Sequence, residues 1–155
     1  MLFARSHADL HNIRLSVDRI KNISDRIVGV GPVGIGLDGI LAWVPGAGVL
    51  YSLAAGSMLL FEGVRARAAS GVLIHMGALL FVDTLLDVPG GNPIAAVADA
   101  LFTGHKWSAN LLLKHMDETI YIEGTRETVK ARPEYIDLMA RVRAGKEKRR
   151  IIFLG

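Results

Sequence analysis

The sequence GVLIHMGALLFVDTLLDVPGGNPIAAVADALFTG, from Gly71 to Gly104, is a run of 34 residues whose only charged side chains are three aspartates. A second run of 35 residues, from Ile27 to Phe61, carries one charged side chain, Asp38. Every Lys and Arg of the chain lies outside these two runs. Two long segments of this composition favour a protein that buries them in a lipid bilayer.

A Pro-Gly pair lies near the middle of each run, and these two pairs are the predicted turns: Pro45, Gly46, Pro89 and Gly90. Proline removes a hydrogen-bond donor and glycine commonly ends helices, so each run predicts two helical arms joined by a turn. An arm of about 16 to 18 residues is about 24 to 27 Å long. A hydrocarbon core is about 30 Å thick, so the arms either cross a thinned bilayer or dip into it and return.

The placement of the basic residues favours hairpins over single crossings. Lys and Arg occur in the N-terminal region, in the link Arg65–Arg67 and after Gly104, and the two Pro-Gly turns have none. If both runs fold back on themselves, every basic cluster lies on one side of the membrane. The positive-inside rule assigns that side to the cytoplasm, so both termini are predicted to be cytoplasmic.

Small residues recur at intervals of four in each run. Such spacing produces a smooth ridge that lets helices approach closely in lipid. The residues predicted to make these contacts are Gly48, Ser52, Gly56, Ala96, Ala100 and Gly104. The alternative is that small residues are abundant here and align by chance.

The segment from Gly29 to Gly34 matches the spacing G-x-G-x-x-G of dinucleotide-binding loops. Only Ile27 and Val28 form an apolar lead-in, and the region about 20 residues after Gly34 holds no acid until Glu62. A phosphate loop needs a buried strand before it and a ribose-binding acid after it, so these glycines indicate packing. No cofactor is predicted.

Four aspartates lie in apolar surroundings, Asp38, Asp83, Asp87 and Asp99, and the candidates for a polar path are Asp38, Asp83 and Asp87 with His75. A carboxylate at the centre of a bilayer costs about 2.5 to 3.5 kcal/mol, so each needs a partner or water. Structural pairing is the first interpretation, and a polar path for ions or protons is the second. No nucleophile and base or metal-ligand cluster is recognisable, so neither a catalytic residue nor a metal site is predicted.

The composition describes a chain of 155 residues that is 51% hydrophobic and 21% charged, with a mean hydropathy of +0.36 and no cysteine. The absence of cysteine excludes disulfides and thiol chemistry. The net charge is +3, and the basic stretch KEKRR has no stacking aromatic residues beside it. Nucleic acid is therefore not a predicted partner.

The flanks of the apolar region read as regular elements. Ser6 to Asp9 resembles a capping box, and apolar residues recur at helical spacing to Ile27, which predicts an amphipathic helix that lies on a bilayer surface or docks on a partner. ETIYIEG indicates a short strand, and Pro133 begins a helix through Arg143 that Gly145 closes. The final IIFLG predicts docking, with a neighbouring subunit as one partner and a frayed end as the alternative.

Gly36-Leu37-Asp38, the turn Pro45-Gly46-Ala47-Gly48 and Ala109-Asn110 resemble a family of small bacterial proteins known only as a domain of unknown function, number four-one-one-two. The likeness covers residues 36–116. Two acids of the family pattern are replaced: Val49 follows the first turn, and the second turn reads Pro89-Gly90-Gly91-Asn92-Pro93. The resemblance implies membrane association and no known activity.

Together these features predict an all-α, membrane-embedded fold with two helical hairpins broken at Pro-Gly. The expected divisions are an amphipathic N-terminal helix over 1–26, a double hairpin over 27–116 and a polar basic tail with one helix over 117–155. The expected partners are the lipid bilayer of the bacterial inner membrane and copies of the chain or other membrane subunits; a small-molecule ligand stays undefined.

The function expected from the sequence is that of a non-catalytic structural or accessory subunit. One alternative is a small ion- or proton-conducting protein that uses the intramembrane aspartates. Another is a soluble, apolar, oligomeric binding protein.

Overall fold

The computed structural model describes residues 2–28, 47–86 and 104–155. Long helices come first within these ranges, and a smaller unit of strands and helices follows. In chain order the described elements are α1 (His7–Val28), α2 (Ala47–Arg65), α3 (Ser70–Leu86), α4 (Gly104–Asp117), β1 (Thr119–Ile122), α5 (Arg126–Val129), α6 (Pro133–Arg143) and β2 (Arg150–Phe153).

Helix α1 begins at a capping box, as the sequence predicted. The Ser6 hydroxyl accepts a hydrogen bond from the Asp9 N–H at 3.1 Å, and the Asp9 carboxylate accepts from the N–H groups of Ser6 and Arg5 at 3.1 and 2.8 Å. These backbone donors have no partner within the helix itself, so the two side chains fix where the helix starts. The Arg5 and Ser6 N–H bonds lower the pKa of Asp9, the Arg5 bond most.

The apolar face predicted for this helix is buried inside the protein. Its described members are Leu10, Ile13, Val17 and Ile20, each at most 7% exposed. They share one core with residues of α2, α3 and α4. The predicted amphipathic helix is thus confirmed, and its expected resting place is corrected: the face packs on the chain's own helices, which offer it apolar area within reach.

The four long helices contact one another in a ring, α1 with α2, α2 with α3, α3 with α4 and α4 with α1. Gly56 lies against Leu80 and Gly63 against Leu73, so α2 and α3 run antiparallel. The centre of the core is filled by fully buried side chains, one or more from every helix of the ring. They include Ile13, Val17, Leu59, Met76 and Leu112.

Two helices end in the same hydrogen-bond pattern. At the end of α2, the Ala68 N–H bonds to the Gly63 carbonyl and the Arg67 N–H to the Val64 carbonyl, both at 2.9 Å. This is a Schellman motif, whose turning residue adopts a left-handed conformation. That residue is Arg67, with φ +54°.

At the end of α6, the equivalent bonds run from Lys146 to Arg141 and from Gly145 to Val142, and the turning residue is Gly145, with φ +70°. Pro133 occupies the first turn of the helix, which ends at Arg143. The helix from Pro133 to Arg143 with Gly145 as its stop is therefore confirmed as predicted.

The strands form a two-stranded parallel sheet. Thr119 pairs with Arg150 and Ile122 with Phe153, and α5 and α6 lie in the connection between the strands. Parallel strands need a long crossover, which this connection supplies. The predicted strand in ETIYIEG is confirmed as β1.

The segment IIFLG is not an attachment to a neighbouring subunit in this structure. Its first residues form β2, and Leu154, which is fully buried, belongs to the same core as the four long helices. The expectation was wrong about the partner because β1, the segment that pairs with it, lies about 30 residues earlier in the chain.

The predicted all-α, membrane-embedded fold is wrong, and so is the expectation of membrane-crossing helices arranged as hairpins in lipid. A parallel sheet is present. Among the described residues, no helix combines the length and apolarity that crossing a membrane requires. Helix α3 has 17 residues, at the short limit of the range of about 17 to 25 that a span needs. Helix α2 contains the Glu62–Arg65 ion pair.

Candidate functional site: an outward apolar surface

The helices of the ring differ in what they present on the outside. Helix α1 exposes mainly polar side chains, including His11 and Arg19, and α4 exposes Asn110 and Lys114; each also exposes one large apolar side chain, Leu15 and Trp107. Outer faces of helices in a globular protein are usually polar in this way. The other two helices depart from the rule.

Helix α2 exposes no charged side chain between Leu53 and Phe61. Leu53, Met58 and Phe61 are about half exposed, at 50, 52 and 49%. Ala54 and Ser57 lie between them on the same exposed face. The acid of this helix, Glu62, points the other way: its side chain is buried and pairs with Arg65 at 2.8 Å.

Helix α3 repeats the pattern. Ile74 and Phe81 are 71 and 65% exposed, and Val82 is also exposed. Gly71, His75 and Ala78 complete the described part of this face, after Ser70 at the start of the helix. None of these residues is a Lys, Arg, Asp or Glu. The opposite face holds Met76 and Leu80, which are buried in the core.

The outward faces of α2 and α3 begin on the same side of the helix pair. Gly56 and Gly63 mark where α2 meets α3, and Leu73 and Leu80 mark where α3 meets α2. At about 100° per residue, the exposed residues of each helix begin about 60 to 80° beyond these contacts, in the same rotational sense along the chain. In an antiparallel pair, the same sense on both helices leads to the same side.

The exposed faces of these two neighbouring helices are together called the apolar surface below. It is made of Leu53, Met58, Phe61, Ile74, Phe81 and Val82. Single exposed apolar side chains are ordinary on a protein, but several large ones on two neighbouring helices are typical of an interaction surface.

The small residues predicted to pack helices lie mostly on other faces or outside the described residues. Gly56 is buried, and a Cβ there would lie 3.4 Å from Leu80 Cδ2. Gly104 is buried at the first position of α4. Gly48 and Ser52 lie in the first half of α2. Ala96 and Ala100 are outside the described residues.

The predicted polar path is described at one side chain. His75 is exposed on α3, and its Nδ1 donates to the Gly71 carbonyl at 3.1 Å. Asp83 lies in the last turn of α3. Asp38 and Asp87 are outside the described residues, as are the four predicted turn residues, Pro45, Gly46, Pro89 and Gly90.

The described residues hold no group of three metal-ligating side chains. His7 Nδ1 lies 3.0 Å from a Glu123 carboxylate oxygen, and the other ring nitrogen, Nε2, lies 3.1 Å from the Tyr121 carbonyl oxygen. Both ring nitrogens thus have protein partners, and the pair fastens the start of α1 to the end of β1. The backbone N–H of His7 also donates to the Glu123 carboxylate, and this hydrogen bond lowers the pKa of Glu123.

Residues 13–116 match the family described as a domain of unknown function (DUF4112). The match covers about two thirds of the 155 residues. The chain belongs to this family. The resemblance seen in Gly-Leu-Asp and the first Pro-Gly turn is thereby confirmed at the level of the family. The matched region contains the apolar surface and ends before β1.

No curated protein matches the chain, and no solved structure matches it. The DUF4112 family carries no assigned activity, so the geometry of the described residues has to supply the argument for function.

Sequence reasoning missed the large side chains of the apolar surface because it followed the small residues. A signal was present: Leu53, Met58 and Phe61 recur at helical spacing on the face of α2 opposite Ala55 and Leu59. The same approach missed Gly63, where a Cβ would lie 2.8 Å from Leu73 Cδ2. Gly63 is thus the closest contact between α2 and α3 that these glycines make.

Proposed function

We propose that this protein is a non-catalytic structural subunit that assembles with copies of itself through the apolar surface. The observation that carries the proposal is the outer face of α2 and α3, where large apolar side chains are about half exposed and the described charged group beside them is Arg65, 5.9 Å from the centre of the Phe61 ring. Burying such a face removes apolar area from water, which is the main favourable term in protein association.

A second copy of the chain is the occupant that fits this surface best. The surface is apolar apart from the Arg65 guanidinium beside Phe61, so it is poorly suited to a partner selected mainly by charge. An apolar face is complementary to another face of the same kind, and a twofold axis brings the same patch of two subunits together. Gly71 and Ala78 on α3, and Ala54 on α2, leave room for the larger side chains of a facing helix pair.

The test is the mass of the protein in solution. Sedimentation equilibrium of the wild type is expected to give an oligomer over a range of protein concentrations. The double variant Phe61→Glu/Phe81→Glu places a charge on each helix of the surface, and it is expected to sediment as a monomer with an unchanged circular dichroism spectrum.

Ile136→Glu is the matched control. Ile136 is 56% exposed on α6, away from the apolar surface, so the variant introduces the same chemistry elsewhere. It is expected to assemble as the wild type does. A monomeric wild type, or a double variant with the mass of the wild type, contradicts the proposal.

The ion-conducting alternative gains no support from the described residues. His75, the one side chain of its polar path that the structure describes, is exposed and bonds within its own helix. No second function is proposed.

A further inference from the structure

A cleft of about 540 Å³ lies on another part of the molecule, between the end of α4 and the loop that leads from α6 into β2. The α4 side contributes His115, followed by Glu118, and the loop contributes residues 145–150. The volume lies within the range of about 300 to 1,000 Å³ typical of small-molecule sites. It is called the basic cleft below.

The basic cleft contains two acids, and the first, Glu147, is paired with an arginine. The Glu147 carboxylate accepts two bonds from the Arg149 guanidinium, at 2.9 and 2.7 Å, and bonds from the Lys148 and Arg149 N–H groups at 3.1 and 3.0 Å. Its side chain is only 10% exposed. The Arg149 bonds hold the pKa of Glu147 at about 2, so the group is a carboxylate under ordinary conditions.

The second acid, Glu118, lies one helical turn from Lys114, at 3.8 Å. Within the part of the chain that the structure describes, no carboxylate forms an ion pair with Lys146, Lys148 or Arg150. The cleft thus has two acids, each with a basic partner, and three further cations. The residues that line the cleft carry more positive than negative side chains, four cations against two acids.

On one wall of the cleft, the His115 ring is uncharged and is held in position by a hydrogen bond. Its Nε2 accepts a hydrogen bond from the Ala69 N–H at 3.2 Å, which places the proton of the neutral ring on Nδ1. Burial, and then the nearby Arg150, lower the pKa of His115. Arg150 is held in turn by a bond from its Nη1 to the Arg67 carbonyl at 2.8 Å. One cation of the cleft is therefore fixed in position, whereas Lys146 and Lys148 are on the exposed loop.

We propose that the basic cleft binds a phosphorylated small molecule. Lysine is a compact point charge suited to phosphate, and arginine supplies directed hydrogen bonds to its oxygens. Three cations without acids suit a ligand with more than one negative charge, and the volume exceeds the space that a single phosphate fills. Neither the family nor the proposed assembly requires this site, so it stands independently of the apolar surface.

The test uses pyrophosphate as the probe and isothermal titration calorimetry at constant ionic strength. The wild type is expected to give a saturable isotherm. The variant Lys146→Gln/Lys148→Gln removes two exposed cations of the cleft and is expected to weaken binding by about tenfold or more.

Arg126→Gln/Lys130→Gln is the control, because it removes the same charge from exposed positions outside the cleft. Its affinity is expected to stay within about twofold of the wild type, apart from the general effect of net charge. Absence of saturable binding by the wild type, or an equal loss in both variants, overturns the proposal.

Amide chemical shifts of the wild type give a second measurement that does not depend on any variant folding. Titration with pyrophosphate is expected to shift the resonances of residues 145–150 and His115 first. Shifts spread evenly over the Lys and Arg residues of the surface would indicate attraction to charge without a site, and they would also overturn the proposal.

Discussion

Arg67 and Gly145 hold the same position in two helix ends with the same hydrogen bonds. Glycine adopts a left-handed conformation freely, whereas a residue with a Cβ does so at a cost of about 1 to 2 kcal/mol. The side-chain contacts of Arg67 offset this cost: its Nη1 donates to the Phe153 carbonyl at 2.6 Å, and its guanidinium lies 5.6 Å from the centre of the Phe3 ring. Its buried Nε has no partner among the described residues.

Replacing Arg67 separates these two effects. Arg67→Ala removes the contacts and keeps the strained conformation, whereas Arg67→Gly removes both. Urea unfolding is expected to show that both variants are less stable than the wild type and that the alanine variant is worse by about 1 kcal/mol.

Gly145→Ala provides the converse change at the end of α6. No atom lies within 4 Å of the Cβ it would add, so the change tests backbone conformation alone. The free energy of unfolding is expected to fall by about 1 kcal/mol.

For Arg67, equal stability of the alanine and glycine variants would mean that the left-handed conformation of residue 67 costs nothing.

Glu147 gives a pH dependence with a definite sign. Its carboxyl pKa is about 2 in the folded protein against an ordinary value of 4.5. A carboxyl group whose pKa is lower in the folded than in the unfolded protein stabilises the folded state. This stabilisation is complete when the pH is above the ordinary pKa of 4.5, and it is lost as the pH falls from about 4.5 through about 2.

The variant Glu147→Gln should therefore be less stable than the wild type at pH 7, with a difference that shrinks below pH 4.5. Urea unfolding at a series of pH values measures this difference. Glu127→Gln, at an exposed position on α5, supplies the baseline. A difference that stays constant to pH 2.5 would show that the Arg149–Glu147 pair adds nothing to folding.

At the scale of the element, α2 and α3 meet at glycines that tolerate substitution differently. A Cβ at Gly56 would make an ordinary contact with Leu80, at 3.4 Å, whereas one at Gly63 would lie 2.8 Å from Leu73 Cδ2. Alanine is favoured over glycine within a helix by about 1 kcal/mol. Replacing Gly56 by alanine is therefore expected to stabilise the helix. Replacing Gly63 by alanine would displace Leu73, and the cost of that displacement offsets the gain in helix stability.

Thermal and urea unfolding are therefore expected to rank Gly56→Ala above the wild type and above Gly63→Ala. The expected separation of the two variants is about 1 kcal/mol. If Gly56→Ala destabilises the protein, the helices must approach more closely at that point than the contact with Leu80 indicates.

Local signals in the sequence were sufficient for several elements. The capping box at Ser6, the apolar spacing of α1, and Pro133 with Gly145 each act within a few residues, so they could be read directly. The apolarity of α2 and α3 was also clear. Hydropathy shows that a face avoids water, but it does not show what covers the face, and the membrane interpretation came from that ambiguity.

The parallel pairing of β1 with β2 depends on contacts between residues distant in sequence, which no local sequence pattern predicts. The candidate sites had the same difficulty. The apolar surface depends on which faces α2 and α3 turn toward each other, and the basic cleft depends on a loop that meets the end of α4. Residue spacing within one element does not contain either fact.

At the scale of the whole molecule, Leu154 joins the C-terminal unit to the helices. It is fully buried and shares the core with residues of all four long helices. Leu154→Ala is expected to cost about 2 to 5 kcal/mol and to lower the stability of the helices as well as the sheet.

Far-ultraviolet circular dichroism during urea unfolding is the measurement for this variant. One transition at a lower midpoint is expected, while Leu2→Ala, at an exposed leucine, should leave the midpoint nearly unchanged. Two separate transitions would show that the helices and the C-terminal unit unfold independently.

The position of Leu154 also sets an order of events during biosynthesis. A ribosome releases α1 through α4 before it releases β2, so until then the core of these helices lacks the Leu154 side chain. The nascent helices are therefore expected to be less stable than in the finished protein, by at least the cost of Leu154→Ala. They reach their full stability only after β2 has left the exit tunnel.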